Sequence, residues 1–324
     1  MTRMRAAVLD RYGPPEVLRI EDVERPIPAR GEVLIRVHAA TVNRNDTAWR
    51  RASPFLQRAV SGWRRPKAGI LGNEFAGTVA EVGTEVTRFA SGDEVFGVRA
   101  YLSEGFGAQA ECLAVAATSA MAPKPPEVSF ERAAAACDGA LSALPFLRRA
   151  GVGAGSTVLV YGASGAIGSA AVQLARHLGA EVTAFAGARN LELVRSLGAT
   201  DVFDYRAMDP VATGRRYDVI FDAVGKLSYL RMRRLLSERG VFASAGGLFN
   251  FIMVPITARS RGRRVIFAAP TFSRLNVEFL ADLMASGAYL PVIDRIYPLH
   301  EVVEANRYVE SAHKTGNVVL SIGS

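Results

Sequence analysis

Residues 157–168, TVLVYGASGAIG, combine an uncharged run with three glycines, which are the residue types needed to bind a dinucleotide phosphate. The first five residues mix β-branched, aliphatic and aromatic side chains, as is typical of a strand buried on both faces. Gly162, Gly165 and Gly168 follow, and apolar side chains then recur at helical spacing. This order of strand, glycine turn and helix suits a pyrophosphate, because the helix start offers N–H groups and the positive end of its dipole.

The usual dinucleotide fingerprint is G-x-G-x-x-G, and here Ala163 takes the place of the first glycine. Such a string alone is weak evidence, but its position between a strand and a helix meets the structural condition of the motif. Ser164 either caps the helix or donates its hydroxyl group to a phosphate. The turn residues that we predict to contact the coenzyme are Gly162, Ala163, Ser164, Gly165, Ala166 and Ile167.

The end of the second predicted strand bears on the choice between NADH and NADPH. An NAD-binding domain places Asp or Glu there to bind the ribose hydroxyl groups. Here the strand EVTAF is followed by Ala186, Gly187, Ala188 and Arg189, without a carboxylate. Arg189, with Gly187 nearby, is placed to bind a 2′-phosphate; the alternative is a solvated arginine at the start of the next helix. The sequence therefore favours NADPH as the cofactor.

Composition and charge exclude several classes of protein. A hydrophobic content of 49% with 22% charged residues is ordinary for a soluble globular protein. The chain lacks a run of about 18 apolar residues, so no membrane span is predicted, and the first apolar run is too short for a signal peptide. The net charge of +8 comes largely from scattered arginines without a recognised nucleic-acid-binding module. We expect a cytoplasmic enzyme with no nucleic-acid partner and no membrane partner.

The cysteine and histidine content argues against a metal site. Two cysteines, Cys112 and Cys137, exclude a disulfide framework and a cysteine-rich zinc site. None of the four histidines pairs with a cysteine at a ligand-like spacing. We therefore expect no bound metal.

The chain changes character at residues 121–129, MAPKPPEVS, where prolines interrupt strand pairing. Before this boundary it reads as short strands of a β-rich barrel or sandwich, with one helix near 46–63. After it, strands and helices alternate, which is the signature of a parallel sheet. A final strand, GNVVLSI, has no βαβ partner beyond it, and we expect it to return to the first domain. The alternating region predicts strands at 157–161, 181–185, 201–204, 218–223, 240–245 and 264–269, and helices at 166–178, 190–197, 227–237 and 273–287.

Seven segments, taken together and in order, resemble the medium-chain dehydrogenase/reductase superfamily in its zinc-independent quinone oxidoreductase (zeta-crystallin-like) branch. The resemblance implies an α/β fold with a β-rich GroES-like catalytic domain at 1–124, completed by about 291–324. It also implies a doubly wound parallel (Rossmann) sheet at 125–290, NADPH in the cleft, and a homodimer. The segments are VNRND (42–46), LGNEFAGTVAEVG (71–83), GDEVFG (92–97), YGASGAIGSAAVQLA (161–175), FDAVG (221–225), VIDRIYPL (292–299) and HKTGNVVLSI (313–322).

The resemblance also assigns further residues to the cofactor site. Tyr205 would lie against the 2′-phosphate, and Asn43 would approach the nicotinamide ribose. Each position can instead serve a turn alone. The remaining residues assigned in this way are Ser142, Ala223, Val224, Gly225, Gly246, Gly247 and Asn317.

The departures from the zinc-containing branch bear on the reaction. Where that branch has Gly-His-Glu, this chain has Gly72, Asn73 and Glu74, so a zinc ligand is missing. Without a Lewis acid, the natural acceptors are already activated, such as quinones and α,β-unsaturated carbonyl compounds (enones), which would take a hydride from NADPH. We expect an electrophilic small-molecule substrate of this kind. The alternatives are an alcohol or aldehyde oxidoreductase that uses NAD(P), and a catalytically silent NADPH-binding protein.

Candidate catalytic residues are Asn43 and Asp46, although Asp46 can equally cap a short helix beginning near Thr47. Ala48 and Trp49 stand where quinone oxidoreductases often have a tyrosine, which removes an obvious phenolic proton donor. Residues 50–68 replace a shorter family connection and are a candidate lid. Aromatic residues that either line a substrate pocket or pack in the core are Trp49, Phe55, Trp63, Tyr101 and Phe106.

Overall fold

The computed structural model describes residues 2–53, 58–67, 69–100, 105–246 and 248–323. The chain divides into two compact units, which we call the first and the second unit. The first consists of Met1–Cys137 together with Phe272–Ser324, and the second of Asp138–Thr271.

The first unit is mainly β-structure. Its strands are β1 (Arg3–Val8), β2 (Arg19–Glu24), β3 (Glu32–Val42), β4 (Glu74–Val82), β5 (Glu94–Val98), β6 (Cys112–Ala116), β7 (Ala120–Pro123), β14 (Ile293–Pro298) and β15 (Asn317–Ser321). Its helices are α1 (Arg44–Arg51), α2 (Arg58–Ser61), α3 (Phe130–Ala134), α9 (Arg274–Ala285) and α10 (Val302–Glu310), with 3-10 turns at Pro15–Val17 and Leu299–Glu301.

The main sheet of the first unit has the order β14-β15-β3-β4-β5-β7, and β6 also pairs with β3. Strand β3 organises it because Val33, Ile35 and Val37, at alternate positions, point into one apolar core. Strand β15 pairs antiparallel with β3, with Val319 opposite Thr41. The predicted return of the last strand to the first domain is therefore confirmed.

The second unit alternates helices and strands. It contains α4 (Cys137–Ala150, which starts at the last residue of the first unit), β8 (Thr157–Tyr161), α5 (Ala166–His177), β9 (Glu181–Ala186), α6 (Leu191–Ser196), β10 (Asp201–Asp204), β11 (Tyr217–Asp222), α7 (Tyr229–Met232), β12 (Leu236–Ser244), α8 (Leu248–Thr257) and β13 (Arg264–Ile266). Further 3-10 turns lie at Ala188–Asn190, Pro210–Thr213 and Arg233–Leu235.

Its six strands are all parallel and have the order β10-β9-β8-β11-β12-β13. Strand β8 lies in the centre, with Val158, Leu159 and Val160 fully buried, as its uncharged sequence predicts. The strand order reverses at β8, and in such sheets ligands bind in the crevice beyond the carboxyl ends of the strands at that point. The predicted fold class, a Rossmann sheet plus a β-rich domain, is confirmed.

The prediction for residues 227–237 is wrong in part, because α7 is short and β12 already begins at Leu236. Leu236 pairs with Tyr217 and Val241 with Val219, so the residues between Leu236 and Val241 bulge out of the ladder. Charged residues in that bulge conceal the start of the strand from a reading of hydrophobic pattern. The edge strand β13 is also three residues shorter than predicted.

The domain bounds at 124/125 and 290/291 remain a prediction. The division of the structure lies at 137/138 and 271/272 because α9, which follows the six-stranded sheet in sequence, packs on β7 of the first unit. Within the described ranges, no helix is long and apolar enough to cross a membrane.

Candidate active site

The glycine turn between β8 and α5 is held against the neighbouring strands. The N–H groups of Gly162 and Ala163 both donate to the carbonyl oxygen of Phe185, at 2.9 and 3.0 Å. Gly162 has φ +79°, and a Cβ atom there would overlap Cγ2 of Val224. A Cβ atom on Gly168 would overlap the carbonyl oxygen of Gly162. The fold itself therefore requires glycine at both positions.

Gly165 differs from these two glycines. A Cβ atom on Gly165 would approach only the carbonyl oxygen of Gly162, at 3.6 Å, so the polypeptide leaves this side of the turn open. Gly165 is the N-cap of α5 and provides no side-chain cap, so Ser164 does not cap this helix. Because the first N–H groups of any α-helix lack an intrahelical acceptor, those at Ala166 and Ile167 form an anion-binding end beside the open space.

Ser142 lies in the second unit on α4, a helix that packs closely on the start of α5. A Cβ atom on Gly139, one turn before Ser142, would lie 2.6 Å from the carbonyl oxygen of Ala166. Ser142 is nearly buried. The structure therefore places its hydroxyl group on the helix that lies beside the glycine turn.

A second polar corner lies at the carboxyl ends of β9 and β10. The N–H of Tyr205 donates to the carbonyl oxygen of Ala186 at 3.1 Å, which brings the Tyr205 ring beside Gly187. The guanidinium of Arg206 lies 5.8 Å from the centre of that ring. Arg189 is exposed in the 3-10 turn that follows Gly187. Gly187 and Tyr205 are thus in contact, and Arg189 follows Gly187 by two residues; their binding of a phosphate remains a prediction.

Arg206 is a further basic residue at this corner, and it was not assigned to the cofactor from the sequence. The sequence signal for Arg206 is its position directly after Tyr205. The direction of the Arg206 side chain, however, depends on a turn. Asp204 closes that turn, since its Oδ1 accepts the N–H of Arg206 at 3.0 Å. Arginine and tyrosine side chains are suited to bind a phosphate group, because charge-assisted hydrogen bonds to phosphate are short and strong.

A buried carboxylate orders the turn after β11. Asp222 accepts N–H groups from Val224 and Gly225 on Oδ1 at 3.1 and 2.9 Å, and from Leu227 on Oδ2 at 2.7 Å. Burial raises the pKa of Asp222 above its usual value, although these hydrogen bonds oppose the shift. Burial, with Asp222 nearby, also raises the pKa of Tyr161 at the end of β8. Asp222 was quoted within FDAVG but not selected, because its role depends on its burial.

The remaining predicted turn residues lie next to Asp222. The N–H of Ala223 donates to the carbonyl oxygen of Tyr161 at 3.0 Å, which joins the ends of β11 and β8. A Cβ atom on Gly246 would lie 3.5 Å from Cα of Gly225, so the turns after β11 and β12 also touch. Gly247 lies outside the described residues.

The first unit holds a separate polar cluster at the end of β3. The Oδ1 of Asn43 accepts the N–H groups of Asn45 and Asp46, at 2.9 and 3.1 Å, which caps α1. Asp46 is fully buried, and its carboxylate accepts the N–H groups of Asn43 at 2.8 Å and Gly72 at 3.0 Å. The predicted N-cap role of Asp46 is therefore wrong: α1 begins at Arg44, the cap is Asn43, and Asp46 is its partner in a capping box.

Asn73 and Glu74 extend this cluster. Asn43 donates from Nδ2 to Oδ1 of Asn73 at 2.8 Å. Glu74 is fully buried, and its two oxygens accept the Thr41 hydroxyl at 2.6 Å and the N–H of Cys137 at 3.1 Å. Hydrogen bonds within the protein therefore hold the side chains at the end of β3 and the start of β4 together without a ligand. Asn73 was noted only as the residue replacing a histidine.

Asn317, also in the first unit, lies at the start of β15 and is nearly buried. Its backbone N–H and its Nδ2 both donate to the carbonyl oxygen of Val292, at 2.8 and 3.1 Å. This anchors the segment between β14 and β15, and the assignment of Asn317 to the cofactor remains a prediction.

The aromatic residues proposed either to line a substrate pocket or to pack in the core differ in their surroundings. Trp49 and Phe106 pack edge-on with ring centres 5.1 Å apart, and both contact the core of the first unit. Trp63 is 65% exposed. Phe55 and Tyr101 lie outside the described residues, as does part of the candidate lid at 50–68. Core packing therefore explains the placement of Trp49 and Phe106.

No cluster of three or more His, Cys, Asp or Glu side chains able to hold a metal ion is found in the described part of the chain. The cluster around Asn73 instead consists of two amides and two carboxylates that already accept protein hydrogen bonds. The absence of a catalytic metal stays a prediction.

Comparisons with known proteins agree with this architecture. Residues 29–126 match the model of the alcohol dehydrogenase GroES-like domain, and residues 197–320 match that of a zinc-binding dehydrogenase. The chain is 31% identical to a chloroplast envelope quinone oxidoreductase homolog of Arabidopsis thaliana, covering 93% of both chains. It is 33% identical to a chloroplastic NADPH-dependent alkenal/one oxidoreductase of the same plant, covering 98% of this chain and 79% of the relative.

Solved structures show the same relationship. The quinone oxidoreductase from Coxiella burnetii superposes with a TM-score of 0.89 at 28% identity, covering 99% of this chain and 100% of that one. The Escherichia coli quinone oxidoreductase, solved with NADPH, superposes with a TM-score of 0.80 at 25% identity, covering 98% of this chain and 99% of that one. The resemblance predicted from the seven sequence segments is confirmed, and the chain belongs to the medium-chain dehydrogenase/reductase superfamily, in its quinone oxidoreductase branch.

Proposed function

We propose that the protein is an NADPH-dependent reductase of quinones or α,β-unsaturated carbonyl compounds that works without zinc. The observation that carries the choice of coenzyme is the corner formed by Gly187, Arg189, Tyr205 and Arg206. It offers cationic donors and a phenolic hydroxyl group where an NADH-binding domain would present a carboxylate. The name of the alkenal/one oxidoreductase relative supports the same coenzyme and acceptor class.

The residues of the second unit fit a bound dinucleotide. The open side of Gly165, which a Cβ atom would fill, leaves room for the pyrophosphate beside the start of α5. Arg189, Tyr205 and Arg206 would hold the 2′-phosphate. The bound coenzyme would supply the hydride from C4 of its nicotinamide ring, which is chemistry that no side chain provides.

The chain itself supplies binding and orientation. Asp222 holds the turn of Ala223, Val224 and Gly225 rigid, so that the floor of the coenzyme site does not have to be ordered when the coenzyme binds. In the first unit, Asn43 and Asp46 act as positioning residues that fix α1 and the Gly72 segment. Asn73 in place of a ligating histidine supports acceptors that need no Lewis acid.

A panel assay tests the proposal. Purified protein is mixed with NADPH or NADH and with quinones, enones, aldehydes or alcohols, and coenzyme oxidation or reduction is followed by absorbance. We expect NADPH oxidation with at least one quinone or enone, and weaker use of NADH. Turnover of alcohols or aldehydes alone would favour the dehydrogenase alternative. Tight NADPH binding without any turnover would favour the silent binding protein.

A further inference from the structure

The amide nitrogen of Asn73 stands out among the buried polar atoms of the first unit. Its Nδ2 is excluded from solvent and meets no hydrogen-bond acceptor among the residues that the structure describes, and the residue is 0% exposed. Native proteins rarely leave a buried donor unpaired, and the exceptions call for an explanation such as a functional role or an ordered water.

The direction of this amide is fixed by its neighbours. Because Oδ1 of Asn43 accepts two backbone N–H groups of α1, the other end of that amide, Nδ2, must face Asn73. Nδ2 of Asn43 then donates to Oδ1 of Asn73 at 2.8 Å. Exchanging O and N in Asn73 would set two NH₂ groups against each other. Asn73 therefore points its own NH₂ group away from Asn43.

The backbone around Asn73 is held equally firmly. The N–H of Gly72 donates to Asp46 at 3.0 Å, and the carbonyl oxygen of Asn73 accepts the N–H of Arg99 at 2.7 Å. The carboxylate of Glu74, the next residue, is held by Thr41 and Cys137. A donor fixed before the reaction needs no reorganisation as charge develops beside it, and it acts more strongly in a buried setting than in water.

We propose that Nδ2 of Asn73 donates a hydrogen bond to the carbonyl oxygen of the quinone or enone. This inference rests on the proposed function and names the group that replaces a Lewis acid. When hydride adds to the β-carbon of an enone, a C–H bond forms, the C=C electrons move toward the carbonyl group, and an enolate oxygen becomes negative. Asn73 stabilises that oxygen without giving up a proton. A proton from water then completes the saturated carbonyl product, while the dihydronicotinamide is oxidised.

The rival explanation is a buried water. Gln109 is also fully buried; its Nε2 donates to the carbonyl oxygen of Thr41 at 3.1 Å, and its Oε1 meets no donor within the described ranges. A water that accepts from Asn73 and donates to Gln109 would satisfy both side chains and would give Asn73 a purely structural role.

Two variants separate these roles. Asn73→Ala removes the donor, and Asn73→Asp keeps the shape but donates only when its carboxyl group is protonated. We expect kcat to fall about a hundred- to thousandfold in both at neutral pH, as when one oxyanion donor is removed elsewhere. The affinity for NADPH should not change. For Asn73→Asp, kcat should recover as the pH is lowered, and the melting temperature should stay near that of the wild type at neutral pH, whereas loss of a structural water would lower the melting temperature together with kcat. Arg30→Ala, an exposed change just before β3, is the control.

A binding measurement gives a readout besides turnover. Para-nitrophenol mimics the developing oxyanion, and we expect its bound form to ionise more readily on the wild-type protein with NADP⁺ than on Asn73→Ala, as seen in its absorbance. Unchanged kcat in Asn73→Ala, equal losses of kcat and NADPH affinity, or a pH-independent loss in Asn73→Asp would overturn the role of Asn73. A wild-type protein that turns over no quinone or enone would refute the proposed function, and this role with it.

Discussion

A Cβ atom on Gly162 would overlap Cγ2 of Val224, so the turn after β8 and the turn after β11 touch at a point where no side chain fits. At Gly165, three residues later in the same turn, an added Cβ atom would instead enter open space. The two glycines lie in the same turn for different reasons. One allows two segments of the protein to pack together, and the other leaves room for a ligand.

Replacing Gly165 should therefore remove coenzyme binding and spare the fold. Gly165→Asp places a favoured N-cap residue at the start of α5, so the melting temperature should hold or rise. NADPH affinity should fall at least about tenfold, equivalent to about 1.4 kcal/mol, because the carboxylate occupies and repels the phosphate space. Gly165→Val should also abolish binding. Calorimetric titration with NADPH measures the effect, and retained binding in both variants would place the phosphate elsewhere.

Gly168 provides the contrast within the same motif. Gly168→Ala should lower the free energy of unfolding by about 1–3 kcal/mol, because the added methyl group must displace the backbone of Gly162. Denaturant titration measures this loss. An unchanged midpoint would show that the turn relaxes freely, contrary to the packing described above.

Coenzyme preference should depend on the corner beyond β9. Arg189→Ala and Arg206→Ala should each raise the KM for NADPH roughly ten- to hundredfold, because a charge-assisted hydrogen bond is worth about 1.5–3 kcal/mol. The KM for NADH, which lacks the 2′-phosphate, should hardly change. Steady-state kinetics with both coenzymes checks the difference. Equal effects on the two coenzymes would remove the phosphate role of the arginine concerned.

Asp222 should couple stability to pH. Its pKa is raised in the folded protein by burial, so its protonated form is favoured on folding. The stabilisation that this shift provides is complete at pH values below the pKa of Asp222 in the unfolded chain. It is lost as the pH rises through the pKa of Asp222 in the folded protein. Asp222→Asn should remove this dependence. It should also lower the free energy of unfolding by about 1–3 kcal/mol, since an NH₂ group then faces the N–H of Leu227.

Denaturant titrations over acidic pH values measure both effects of Asp222→Asn. Asp282→Asn, an exposed change on α9, should leave the pH profile as it is. A wild-type profile identical to that of Asp222→Asn would contradict the assigned burial.

Two adjacent arginines should differ sharply in their effect on stability. The side chain of Arg50 is 0% exposed and bonds to Glu310, Asn306 and the carbonyl oxygen of Gly13, whereas that of Arg51 is 58% exposed. Arg50→Ala leaves buried partners unpaired and should lower the free energy of unfolding by about 3–5 kcal/mol. Arg51→Ala should change it by less than about 0.5 kcal/mol. Similar losses in the two variants, measured by denaturant titration, would refute the buried role of Arg50.

Chelation should leave turnover intact. Pretreatment with EDTA, followed by removal of the chelator, is expected to preserve NADPH oxidation, because Asn73 stands where a zinc enzyme would have a histidine ligand. Elemental analysis of the untreated protein provides the check. Stoichiometric zinc together with loss of activity on chelation would require a metal-dependent mechanism.

The sequence by itself determined the elements that depend on local pattern. Strand β8 lies at its predicted bounds and α5 ends within one residue of them, because an uncharged run, three glycines and a helical apolar stripe specify one βα unit without distant contacts. The absence of a carboxylate after β9 and the replacement of histidine by Asn73 were equally visible. These features sufficed to identify the family, and they support the proposal of NADPH as the coenzyme.

Only the tertiary structure decided what the individual polar residues do. Arg50 and Arg51 are neighbours in the chain, yet just one is buried, because Glu310 is brought to it across 260 residues. Asp222 and Asn73 likewise gain their roles from burial and from the direction of their partners. Local preferences act over a few residues, whereas desolvation and hydrogen-bond geometry depend on which remote segments the fold brings together.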